Sequence, residues 1–96
     1  MPDPIRDEQP IEREIRHEKA RSLGKAGEEL ERACAEAWAL FRSDDASAED
    51  SREARDRALR RRHVLILQRE AMGLFGHADV DRLYPLPPVE KPSIGR

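Results

Sequence analysis

The chain has 96 residues, enough for one small domain at most, and charged residues (40%) outnumber apolar ones (38%), which leaves a thin core of Leu, Ile, Val and Ala. Eighteen basic against twenty acidic residues give a formal charge of −2, so the molecule as a whole lacks the positive excess of a nucleic-acid binder. The single cysteine rules out an intrachain disulfide and fits a reducing cytoplasm.

Residues 1–9 are acidic, broken by Pro2 and Pro4, and hold no apolar stretch, so they read as a disordered arm and not as a signal peptide. Pro10 suits the first turn of a helix, where a missing N–H costs nothing. From there to about Arg42, apolar residues recur at helical steps: Ile11, Ile15, Leu23, Ala26, Leu30, Ala33, Cys34, Ala37, Leu40 and Phe41. At about 100° per residue they fall in one sector of about 140°, with Trp38 just beyond its edge. The i,i+4 pairs Glu12–Arg16 and Glu28–Arg32 add modest support. Gly24 and Gly27 interrupt the helix; because the stripe keeps its phase across them, they read as a place where another backbone approaches closely and not as a kink.

Ser43-Asp44-Asp45-Ala46-Ser47 reads as a turn, and Ser47 with Asp50 three residues on resembles a capping box. A second helix is expected over 48–75, with Gly76 in the left-handed position that ends it. Residues 78–84 add one short turn, and Pro85, Pro87, Pro88 and Pro92 make 85–96 an extended tail. The first half of the second helix is rich in arginine: Arg52, Arg55, Arg57, Arg60, Arg61 and Arg62. Its second half sets Val64, Leu65, Ile66 and Leu67 in succession, and four consecutive apolar residues point all round a helix. Covering them takes the first helix and, on this reading, a second subunit. Their run is far too short to span a bilayer.

The segments Glu18-Lys19-Ala20-Arg21-Ser22-Leu23-Gly24-Lys25-Ala26-Gly27 and Gln68-Arg69-Glu70-Ala71-Met72-Gly73-Leu74-Phe75-Gly76-His77 resemble a family of small uncharacterised proteins, a domain of unknown function met mainly in alphaproteobacterial genomes. The similarity covers roughly residues 10–85. It implies a cytoplasmic helical protein and no particular activity. The Pro-rich end and the arginine-rich start of the second helix depart from the family pattern.

Few constellations carry chemistry. His63, Glu70 and His77 are seven apart, about 10 Å along a helix and too far for one ion. Glu14-Ile15-Arg16-His17 occurs once, where a ferritin-like site needs a second copy, which only a symmetric dimer would supply. Six arginines between 52 and 62 offer a local phosphate-binding face, but no aromatic residue lies between positions 42 and 74 to stack a base. Glu28, Glu29, Glu31 and Glu36 are expected alongside to neutralise it. Arg82-Leu83-Tyr84-Pro85-Leu86-Pro87-Pro88 matches a polyproline-groove pattern, yet an arm packing Leu83, Tyr84 and Leu86 on the helices, or left free, is the simpler reading. Cys34, at the margin of the stripe and with no histidine one turn away, reads as a buried structural thiol.

The expected architecture is therefore all-α: a long helical hairpin assembled as a homodimeric four-helix bundle with an extended C-terminus. Its expected role is that of a cytoplasmic, non-enzymatic interaction or regulatory protein, with no cofactor, no metal site and another protein as partner. Interface candidates are Leu30, Trp38, Phe41, Leu65, Ile66, Leu67, Met72 and Phe75. The alternatives are a nucleic-acid-associated protein using the Arg52–Arg62 face and, behind it, a metal-binding bundle.

Overall fold

A computed structural model describes residues 9–89 and shows three helices: α1 (Pro10–Arg42), α2 (Ala48–Ala71) and α3 (Ala78–Leu83). The expected arm lies outside the described residues except for Gln9, as does the tail beyond Val89. No strand is present among the described residues. The long helices form the expected hairpin, turning at 43–47.

Local signals account for most of the boundaries. Pro10 opens α1 in its first turn. The Ser43 hydroxyl accepts from the Asp45 N–H at 3.2 Å inside the turn, and the Ser47 hydroxyl caps α2 by accepting from the Asp50 N–H at 3.0 Å. Glu49 and Asp50 sit at the positive end of the α2 dipole.

The far end of α2 differs from expectation. The helix stops at Ala71, four residues before Phe75, because Gly73 and not Gly76 takes the terminating left-handed conformation (φ +81°). The Gly73 N–H donates to the Glu70 carbonyl at 2.9 Å, and the Leu74 N–H donates to the Arg69 carbonyl at 2.9 Å. That pair of bonds satisfies two orphan carbonyls at once, which a helix continued to Gly76 would postpone. Gly76 (φ +90°) then serves a second reversal that leads into α3.

The helices meet along a seam of small residues. Ala26, Leu30, Cys34 and Ala37 of α1 are buried, as are Ser51, Ala54, Ala58 and Leu65 of α2. Alanine and serine at these positions allow two backbones to lie close, so little apolar area is needed to seal the contact. Beside this seam runs a third layer. Val80 of α3 is fully buried against Leu30, Cys34, Ala58 and Leu65, with Tyr84 and Leu86 packed around them. Residues 84–88 continue as an extended strap between the long helices. Trp38 Nε1 donates to the Pro85 carbonyl at 2.8 Å, Arg55 Nε donates to the Pro87 carbonyl at 2.7 Å, and the Pro87 ring is buried. Of the residues expected to pack from this arm, Tyr84 and Leu86 do; Leu83 is 65% exposed.

Two expectations about α1 are corrected. The helix is continuous through Gly24 and Gly27, but no other backbone approaches them: a Cβ at Gly24 meets nothing within 4 Å, and one at Gly27 meets only the Tyr84 hydroxyl at 3.4 Å. The stripe is also buried over part of its length only. Ile11 is 63% and Ile15 49% exposed, because α1 outruns its partner. Gln68 and Ala71, at the end of α2, come level with Glu18, Lys19 and Ser22. The 33 residues of α1 against 24 in α2 leave an overhang of roughly 14 Å at ~1.5 Å per residue.

Candidate interaction surface

The arginine-rich half of α2 is largely engaged within the chain. Arg57 pairs with Glu36 at 3.2 Å and Arg61 with Glu29 at 3.0 Å, both across the hairpin. Arg62 sends Nε and Nη2 to the same Asp81 oxygen at 2.9 and 2.6 Å, and Arg55 holds the strap. Arg52 and Arg60 are exposed and have no ion-pair partner among the described residues. Two of the four glutamates expected to lie alongside, Glu29 and Glu36, do pair; the expected Glu28–Arg32 pair is not formed.

The histidines do not converge. His63 is exposed on α2 and His17 on the overhang. His77 folds back through the Gly73 reversal so that Nε2 lies 3.3 Å from the Glu70 carboxylate. Among the described residues no group of three or more His, Cys, Asp or Glu side chains is placed to hold an ion. Cys34 is buried beside the strap, its Sγ 3.9 Å from the Tyr84 carbonyl oxygen, and burial pushes its thiol pKa upward, away from the reactive thiolate.

What the fold does expose is apolar surface at the end of the hairpin away from the turn. Ile11, Ile15, Leu67, Leu74, Phe75 and Leu83 all lie there and are all half or more exposed, or nearly so, with Phe75 at 74%. The loop that carries Leu74 and Phe75 is held in shape by a two-pronged ion pair, Arg69 Nη1 and Nη2 to the two Asp79 oxygens at 3.1 Å each. The Arg69 guanidinium holds the Asp79 carboxyl below the usual carboxylate range. Next to this loop a groove of about 530 Å³ opens between α1 and α3, walled by Leu23, Leu65, Leu74, Leu83 and Tyr84 and floored by Gly24 and Gly27.

The interface candidates divide accordingly. Leu30 is sealed in the chain's own core and has no side-chain surface left for a partner, a correction that follows from the third layer, whereas Leu65, 5% exposed, shows only an edge to the groove. Trp38 is half-buried and engaged with the strap, with Phe41 edge-on to its ring (centroids 5.6 Å, 83°) and the Arg42 guanidinium 4.8 Å from its centroid. Ile66 and Met72 are half-buried; Leu67 and Phe75 are open. Sequence reasoning missed Leu74 and Leu83, and it read Ile11 and Ile15 as part of a covered stripe. The unequal lengths of the two helices were the signal for that.

No helix among the described residues is long and apolar enough to cross a membrane. Compared with known proteins, the chain matches no family model, no curated protein and no solved structure. The resemblance read from 18–27 and 68–77 therefore rests on those two segments alone.

Proposed function

We propose that this chain is a non-enzymatic helical interaction protein that works as a homodimer, joined through the end of the hairpin away from the turn. The observation that carries this reading is the gathering of Ile11, Ile15, Leu67, Leu74, Phe75 and Leu83 at that end, against Leu59, Val64 and Val89 as the exposed large apolar residues elsewhere among the described residues. Exposed apolar groups collected in one place mark interaction surfaces, whereas scattered ones do not. A four-helix bundle along the whole hairpin has less support, since one flank carries the Arg57–Glu36 and Arg61–Glu29 pairs and another carries the strap. The dimer is the protein's own assembly, and the groove beside it is offered to a further protein partner in the cytoplasm.

A native mass spectrum of the untagged protein tests this. A dimer without added mass is the expected result. Monomer alone at tens of micromolar defeats the reading, and a species carrying a metal turns attention back to His17, His63 and His77. The nucleic-acid alternative rests on Arg52 and Arg60 and predicts binding to mixed-sequence DNA that weakens steeply with salt.

A further inference from the structure

We infer that the cleft holding the strap is a recognition site for extended proline-rich segments, filled in cis by the chain's own residues 84–88 and open in trans to a proline-rich segment of another protein. The cleft lies between the long helices toward the turn, around Trp38 and Arg55, and the inference does not rest on the homodimer.

The chemistry of the two sides argues for the ligand class. Three of the four residues 85–88 are prolines, each with a carbonyl to offer and no N–H. The cleft answers with two side chains that only donate. The Trp38 indole on α1 gives its N–H to the Pro85 carbonyl at 2.8 Å, and the Arg55 guanidinium on α2 gives its Nε–H to the Pro87 carbonyl at 2.7 Å. The Pro87 ring is fully buried, while Pro85 and Pro88 stay exposed. An ordinary residue at 87 would add an N–H at a buried position where neither of these donors accepts it. Prolines also hold the segment extended before it binds, the property that aromatic-lined polyproline grooves exploit in general.

The reading side is set up without the strap. Trp38 is braced by its own helix, with Phe41 edge-on to its ring and the Arg42 guanidinium 4.8 Å from its centroid. Beyond the Pro87 ring, the strap packs through Tyr84 and Leu86 alone, and Leu83 and Val89 at its ends are exposed. Val80 is fully buried in the core, so α3 has an anchor of its own and does not depend on the strap. A tethered strap competes at an effective concentration on the order of millimolar, so a ligand from outside enters by displacing it. The proline pattern at 85–88 is thus turned inward and guards the cleft that reads it.

Fluorescence anisotropy of a labelled peptide of residues 82–89 tests this on the full-length chain, in wild type and in Pro87→Asp, which puts a charge in place of the buried ring and frees the strap. The expected result is that Pro87→Asp keeps its helical circular dichroism and binds the peptide saturably, at least about tenfold more tightly than wild type, whose own strap competes. Adding Trp38→Phe, which keeps a ring and removes the N–H, should weaken binding several-fold. A peptide carrying both Pro85→Ala and Pro87→Ala should also bind several-fold more weakly. If Pro87→Asp loses helix, the double variant Pro85→Gly, Pro87→Gly frees the strap without a charge and takes its place. No saturable binding to a folded, strap-freed variant overturns the site. Equal binding of the proline and alanine peptides overturns the ligand class, and indifference to Trp38→Phe overturns the placement of the ligand at Trp38.

Discussion

Asp79 shows how one side chain shapes the exposed end of this protein. It accepts both terminal nitrogens of Arg69 and so ties the loop after Gly73 to α2. Because Arg69 lowers its pKa, the contribution of Asp79 is fully present above the ordinary aspartate value near 4 and fades as pH falls through the lower folded value. Asp79→Asn should therefore melt below wild type at pH 7, and the gap should close as the pH is taken from about 4 downward. Thermal melts of both proteins across that range check it; a gap independent of pH would mean the carboxylate charge is not what holds the loop. Arg62 and Asp81, two residues further along α3, repeat the device in more exposed form.

At the scale of elements, two glycines of the same composition have opposite roles. Gly24 sits inside α1 with open space where a Cβ would go, so Gly24→Ala should stabilise the protein by up to about 1 kcal/mol. Gly73 holds φ +81°, so Gly73→Ala should cost about 1–2 kcal/mol despite equally open surroundings. Urea denaturation of the two variants should shift the midpoint in opposite directions; a shared sign would contradict the helix termination described above. The same pair shows what the sequence made legible. The 3.6-residue stripe, Pro10, and Ser47 with Asp50 located α1, the turn and the start of α2, because each is a local signal. The end of α2 was not legible, since its apolar residues follow no single helical phase and continue past Ala71 through Met72, Leu74 and Phe75, and two glycines compete to stop the chain. Periodicity also identifies a buried face without saying what buries it. For that reason Leu30 reads from the sequence alone as an intersubunit contact, whereas Val80 of α3 and the small residues of α2 cover it.

Over the whole molecule, the hairpin is a two-helix rod stiffened by a C-terminal layer. Ending the chain at Leu83 removes Tyr84, Leu86 and Pro87 from the core and the acceptor from Trp38, the sole tryptophan. Emission from Trp38 should shift to the red. The melting temperature should fall by about 5–15 °C, from two hydrogen bonds of about 1 kcal/mol each and the lost apolar cover. Unchanged fluorescence and melting would mean the strap is not docked in solution. The sequence points to an arm packed through Tyr84 and Leu86 or left free; what it does not show is the docking itself, because prolines set no apolar period and the two hydrogen bonds that hold the strap end on main-chain oxygens.

That last point reaches further. Trp38 and Arg55 grasp the main-chain oxygens of Pro85 and Pro87, so these two bonds do not depend on which side chains stand there, while the buried Pro87 ring is held by fit. The two anchors are therefore gauged by length. Substitutions that keep the strap extended preserve both acceptors, whereas inserting or deleting one residue between Val80 and Pro85 carries both anchor points out of reach together.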